Sequence, residues 1–280
     1  MKKVNALGDE GTGRYCWPMD LWYRDLGGSG EPAVILHGLF GSSQNWAGMG
    51  RRLSALGKVF APDLRNHGES PRAATHSLAD CVQDLADWAD ARRLQRLRLI
   101  GHSMGGLVAM GFALRHPDRT SGVASIDIAP RPYPPEHPGE LAAMKTDIRS
   151  CRSRAEVEAL LLPLVIDART RQFLMTNAVR DGEGFRWRPN VPVLERSTIA
   201  ADWAAASGRY EGEALLIACG KSSYVLADDH EVMRRFFPRA RIETLAAADH
   251  WPHVTTPGEL ETALQGFLQR CAITPADPRL

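Results

Sequence analysis

Apolar and polar positions along this chain alternate between two periods. An extended segment at residues 21–25 meets the turn Gly27-Gly28-Ser29-Gly30, and the apolar run Ala33-Val34-Ile35-Leu36 then reads as a buried strand. Together they predict two adjacent strands that begin a sheet. After His37-Gly38-Leu39-Phe40-Gly41-Ser42-Ser43 a helical stretch carries Trp46, Met49 and Leu53, and Val59-Phe60-Ala61 predicts another strand, ending at Pro62-Asp63. Over residues 78–94, Leu78, Val82, Leu85, Trp88 and Ala89 recur at helical spacing while Asp80, Gln83, Asp84 and Asp87 fall off that stripe, as in an amphipathic helix laid on a sheet. Leu97, Leu99 and Ile100 predict a strand running into Gly101. A small-residue helix follows over 107–114 and stops before Pro117, and residues 123–128 read as one more strand.

The rhythm breaks at Ala129-Pro130-Arg131-Pro132-Tyr133-Pro134-Pro135 and resumes at Ala214-Leu215-Leu216-Ile217-Ala218-Cys219, a buried strand. Residues 130–209 therefore read as an insertion, with helices over 141–148, 155–162 and 170–179 and a loop or small hairpin over 182–193. A helical cap over the carboxyl edge of the sheet is the simplest arrangement, with residues 1–129 and 210–280 forming the core. Residues 232–237, 242–245 and 260–268 read helix, strand, helix. The expected fold class is α/β: a mostly parallel central sheet flanked by helices, with an inserted helical cap and no internal repeat.

Composition narrows the function classes. At 280 residues the chain can bury a core large enough for one main domain with an insertion. Its 34 lysines and arginines nearly balance 33 aspartates and glutamates, with no basic cluster interleaved with aromatics. This disfavours nucleic acid and polybasic membrane docking, and points to a small-molecule partner. Cys16, Cys81, Cys151, Cys219 and Cys271 are far apart and odd in number, so they read as reduced thiols, neither a zinc site nor a disulfide framework. The first thirteen residues carry charge and glycine where a leader would be apolar. No run approaches the roughly 18 apolar residues of a membrane span, so the expectation is a cytoplasmic protein.

The chemistry concentrates at Gly101-His102-Ser103-Met104-Gly105, a G-x-S-x-G motif fed by a strand and left by a helix. A sharp strand-to-helix turn strains the serine backbone and exposes its hydroxyl at the helix N-terminus, so Ser103 is the candidate nucleophile. The Met104 amide is one candidate oxyanion donor. The other is the Leu39 amide, in the glycine turn directly after the strand at Ala33-Val34-Ile35-Leu36; Phe40 stands one residue too far. The base should be a late histidine, and His250 in Asp249-His250-Trp251-Pro252-His253 is at a strand exit, whereas His253 is nearer the last helix. Among the remaining histidines, His37 and His67 read as loop-shaping, His102 as a flank of the turn, His116 as a helix end, and His76, His137 and His230 as solvated.

The acid is the open member. Its usual position after the strand that follows the insertion, Cys219-Gly220-Lys221-Ser222-Ser223, holds no carboxylate, and Ser222 stands where an aspartate is expected. Asp127, between Ile126 and Ile128 at the end of the preceding strand, would be costly to bury unless paired, and an imidazolium is a suitable partner. Asp127 ranks first, ahead of Asp228 or Asp229, with Ser222 as a direct histidine partner last. Asp127 could instead tie down the cap's connecting loop, and Asp228 and Asp229 could be helix caps. The polar stretch Asp63-Leu64-Arg65-Asn66-His67-Gly68-Glu69-Ser70 lacks metal-ligand spacing and reads as a hydrogen-bonded loop.

Taken together, His37-Gly38-Leu39-Phe40-Gly41-Ser42, Asp63-Leu64-Arg65-Asn66-His67-Gly68, Gly101-His102-Ser103-Met104-Gly105-Gly106, Asp127-Ile128-Ala129-Pro130 and His250-Trp251-Pro252-His253 resemble the α/β-hydrolase superfamily. Within it they are similar to the small acyl esterases of the YbfF and abhydrolase-domain-11 group. The resemblance runs over residues 21–268. It implies a cofactor-free hydrolase of short acyl esters or thioesters with a helical cap over the serine, a serine at the usual acid position matching Ser222, and an aspartate at the strand end matching Asp127. Two residues depart from it: Asp249 stands where a glycine normally precedes the histidine, and Ser223 where a proline or small residue is common.

The expected reaction is therefore hydrolysis of a short-to-medium acyl ester through an acyl-enzyme on Ser103. Phe40, Phe173, Leu174, Trp187, Trp203 and Trp251 are candidates to line the acyl pocket, though each could equally be cap core, and Arg188 could meet a substrate carboxylate or simply be solvated. Alternatives are thioester or carbon–carbon bond hydrolysis on the same residues, or a ligand receptor that has kept the fold. Epoxide and haloalkane chemistry would need an aspartate at position 103.

Overall fold

The computed structural model describes residues 19–134 and 137–273. Its core alternates strand and helix: β1 (Tyr23–Asp25), β2 (Pro32–Leu36), α1 (Ser43–Leu53), β3 (Lys58–Pro62), α2 (Leu78–Ala91), β4 (Leu97–His102), α3 (Met104–Arg115) and β5 (Thr120–Ile126). Helices α4 (Pro138–Lys145), α5 (Arg154–Leu161) and α6 (Ala168–Met175) follow, then the hairpin β6 (Ala178–Asp181) and β7 (Gly184–Trp187), then short α7 (Val191–Leu194) and α8 (Ile199–Asp202). The chain returns to the core through β8 (Glu213–Cys219), α9 (Asp229–Phe236), β9 (Arg241–Leu245), α10 (Pro252–Thr255) and α11 (Pro257–Ile273).

Seven strands pair in the order β1-β3-β2-β4-β5-β8-β9, all parallel except β1 against β3. The two strands expected to be neighbours, β1 and β2, are separated by β3. Strand pairing is set by long-range contacts, which a local apolar run does not encode. The central strands β4 and β5 are buried throughout and largely apolar because helices cover both faces. Side-chain alternation sends Val34, Leu36, Leu97 and Leu99 to the face under α2 and α3, and Ala33, Ile35, Ile100 and Ile217 to the face under α1 and α11. Local signals fix the helix ends. Ser77, for example, accepts the Asp80 amide at 3.1 Å and starts α2 with a capping box.

In the segment between β5 and β8, the helix expected over 170–179 stops at Met175, and residues 178–187 form the hairpin. The segment has an apolar cluster of its own, with Met144, Ile148, Val157, Leu161, Leu174 and Phe185, and Phe40 enters it from the loop after β2. Cys81, Cys151, Cys219 and Cys271 are free and buried, whereas Cys16 lies outside the described residues. Burial raises the Cys271 thiol to about 12. No described helix is long and apolar enough to cross a membrane.

Candidate active site

Parallel register brings the chemistry-bearing loops to one edge. Leu36 pairs with Gly101, His102 with Ile126, Ile126 with Ile217 and Cys219 with Leu245, so the residues after β2, β4, β5, β8 and β9 leave the same carboxyl end of the sheet. From β2 the chain passes to the α1 face, and from β4 to the α3 face. The crevice between these diverging loops is the switch point where open α/β sheets bind ligands.

Ser103 joins β4 to α3 with φ 51° and ψ −124°, a strained conformation for a residue with a side chain. The flanking glycines make the turn possible: a Cβ on Gly101 would overlap the Gly105 backbone, and one on Gly105 would overlap the Leu36 and His37 carbonyls. Met104 opens α3, so its amide has no partner within the helix. Opposite it, Gly41 N–H donates to Gly38 O at 3.0 Å, closing a turn in which Phe40 has φ 57°. A Cβ on Gly38 would stand 3.2 Å from the Ser103 Cβ, which measures how closely this loop approaches the hydroxyl.

The histidine expected as base meets both expected partners. His250 Nδ1–H donates to Asp127 Oδ2 at 2.8 Å, and His250 Nε2 accepts the Ser103 hydroxyl at 3.1 Å. An ionised carboxylate only accepts, so Asp127 selects the tautomer that leaves Nε2 free to take a proton. Asp127 is fully buried with φ 53°, and its other oxygen accepts the Cys219 amide at 3.1 Å. That amide and the imidazole satisfy a carboxylate that would be costly to bury alone. The competing acids lie elsewhere: Asp229 pairs with Arg131 at 2.7 Å, Asp228 is the residue before α9, and Ser222 Oγ accepts the Tyr224 amide at 3.3 Å.

Several neighbours act on His250 from outside this line. His102 Nε2–H donates to the His250 carbonyl at 2.7 Å, and burial holds its pKa far below the ordinary imidazole value. The His253 ring lies 5.4 Å from that of His102, and burial lowers its pKa to about 4. The Tyr224 ring stacks on His250 at 4.1 Å, and its hydroxyl contacts His137 Nε2 at 3.0 Å. Tyr224 and Glu140 escaped the sequence reading because no motif marks them; their relevance comes from which loops converge. His137 and His76 were expected to be solvated. His137 instead lines the cavity over Ser103, and His76 is buried with Nε2 3.4 Å from Met104 Sδ. Burial lowers the His76 pKa to about 3.

Two cavities meet at Ser103, one of ≈ 160 Å³ and one of ≈ 140 Å³. Phe40, Phe173 and Trp251 line the larger. Trp187 does not join them: its indole donates to Thr146 O at 2.9 Å and its ring packs on the apolar cluster of the β5–β8 segment. Leu174 belongs to that same cluster, Trp203 packs against Phe236, and Arg188 pairs with Glu69. The loop after β3 is hydrogen-bonded as expected, with Asp63 accepting the Ser43 amide at 2.6 Å and the Glu69 amide at 2.8 Å. Among the described residues no group of histidine, cysteine and carboxylate side chains is arranged to hold a metal.

A strained serine on a strand–turn–helix at the carboxyl edge of a parallel sheet defines the α/β hydrolases, and the model of the alpha/beta hydrolase family matches residues 33–263. The chain belongs to this family. It is 35% identical to the sn-1-specific diacylglycerol lipase ABHD11 of Mus musculus over 90% of this chain and 86% of that one, and 33% identical to Esterase YbfF of Escherichia coli (strain K12) over 85% and 93%. Among solved structures, a marine microorganism esterase superposes with a TM-score of 0.84 at 32% identity, covering 89% of this chain and 99% of that one. The protein is thus an α/β hydrolase of the esterase and lipase type.

Proposed function

We propose that the protein is a serine carboxylesterase that cleaves short-to-medium acyl esters through an acyl-enzyme on Ser103. The observation that carries this reading is the continuous line Asp127 Oδ2, His250 Nδ1, His250 Nε2, Ser103 Oγ, with steps of 2.8 Å and 3.1 Å, opening into a cavity. His250 takes the proton of Ser103 as Oγ attacks the acyl carbonyl, and Asp127 stabilises the imidazolium. The Leu39 and Met104 amides hold the oxyanion. His250 then gives its proton to the leaving oxygen, and water, activated by the same imidazole, cleaves the acyl-enzyme.

In this reading the described residues of 130–209 form a cap over a core of those of 1–129 and 210–280, and Phe40, Phe173 and Trp251 help shield the site from water. The ≈ 140 Å³ cavity is lined by Met104, Leu107, Ile128, Leu141, Leu194 and Ile199, an apolar room for the acyl group. A cavity of about 150 Å³ accepts a benzene-sized guest, which favours acyl groups of around six carbons. Hydrolysis of p-nitrophenyl esters from acetate to dodecanoate tests the proposal. Turnover should peak at short-to-medium lengths and fall at least about a thousandfold in Ser103→Ala. Equal rates for the two proteins would overturn it.

A further inference from the structure

The two cavities that meet at Ser103 differ in chemistry. Only the larger is lined by His250, the group that must protonate the departing oxygen, so the leaving alcohol extends into this arm and the acyl group into the apolar one. The assignment rests on the esterase reading above. The leaving-group arm has aromatic walls from Phe40, Trp46, Phe173, Tyr224 and Trp251. Phe173 and Trp251 face each other with centroids 6.0 Å apart.

Among the described residues, one carboxylate lines this arm. Glu140, in the first turn of α4, has a side chain 27% exposed and lies 3.5 Å from His137 Nδ1. The hydrogen bond from His137 holds its pKa below the ordinary carboxylate value, so it is charged at neutral pH. Of the other ionisable groups lining the arm, His37, His102 and His253 all have pKa values lowered by burial. Among the described residues, no lysine or arginine lines either cavity; the second cavity adds only another carboxylate, Glu195. A substrate anion would find no lysine or arginine here, whereas a cation would find aromatic faces and a carboxylate.

We propose that Glu140 is a specificity-determining residue that makes the leaving-group arm select esters of cationic alcohols over neutral and, most strongly, anionic ones of the same size. Acetylcholine, its uncharged isostere 3,3-dimethylbutyl acetate and the anionic 4-acetoxybutanoate share one acyl group and test the proposal by kcat/KM. Wild type should favour the cationic over the anionic ester by about tenfold or more, with the neutral ester between them. In Glu140→Gln the cation-to-anion ratio should fall towards unity, and in Glu140→Asp it should be largely retained. Ratios within one variant cancel any general loss of activity. Calorimetric titration of Ser103→Ala with choline and with 3,3-dimethyl-1-butanol reads the same selection without turnover, and choline should bind more tightly. An anionic preference, a ratio unmoved by Glu140→Gln, or equal binding of the two alcohols would overturn the proposal. Absence of ester turnover with choline still bound more tightly would instead count against the esterase reading alone.

Discussion

The sheet core and the segment between β5 and β8 are built differently. Every residue of β4 and β5 is buried, and both faces of the sheet are closed by helices of 11, 14, 12 and 17 residues. The segment's longest helices have eight residues, and Leu160, Leu162, Leu164 and Ile166 remain exposed on it. It is tied to the core by discrete polar contacts: buried Asn177 donates to Phe40 O at 2.8 Å, and Arg169 pairs with Asp249. Positions that must hold to tenths of an ångström, Ser103, Asp127 and His250, are all carried by the core. Glu140, Phe173 and Leu141, which line the two cavities at Ser103, come from the segment. On the proposed reading, a rigid core performs the chemistry and a less buried cap selects the substrate.

The largest expected effect falls on the core. Asp127→Asn should lower kcat by about three to four orders of magnitude, since an amide can present the wrong partner to His250 Nδ1, while Ser222→Ala should stay within about threefold. Steady-state kinetics on a p-nitrophenyl ester decides this, and a larger loss in Ser222→Ala would move the acid to the loop after β8.

A second effect is on stability. His76 and His253 have folded pKa values lowered to about 3 and about 4, against 6.5 in the unfolded chain. Between those values and 6.5 the unfolded chain binds more protons than the native one. The stabilisation is therefore complete above about pH 6.5 and is lost progressively as pH falls to about 3. Denaturant melts should show a loss of at least about 2 kcal/mol from pH 7 to pH 4. A flat profile would mean that these rings are not held neutral.

The smallest effect should come from the link between the two regions. Arg169 and Asp249 have side chains 51% and 29% exposed, and pairs this accessible contribute about 0–1 kcal/mol. Arg169→Gln should leave the melting temperature within about 2 °C and change kcat/KM for small esters less than about fivefold. A large loss of kcat alone would make Asp249 a positioning residue for His250, which adjoins it in the chain.

Legibility in the sequence follows the same division. Strands β2 and β8 were visible because burial on both faces makes them nearly unbroken apolar runs, and Ser103, Asp127 and His250 were visible because each follows a strand's carboxyl end. The order of β1, β3 and β2 was not visible, because neighbours in a sheet are chosen by contacts far apart in the chain. In the segment, Trp187 has the apolar body of a pocket residue, but its indole satisfies Thr146 O and turns the ring into the segment's own cluster. His137 looks solvated in a proline-rich stretch and nothing marks Glu140, and only the arrival of Tyr224 from the loop after β8 shows that they face a cavity.

The most direct test of the central claim is the intact mass and peptide map of the protein after treatment with a fluorophosphonate. The account predicts one adduct per chain, on the peptide containing Ser103, formed rapidly by wild type and slowed by orders of magnitude in His250→Ala. An adduct on another residue, or labelling of Ser103 at the same rate without His250, would contradict it.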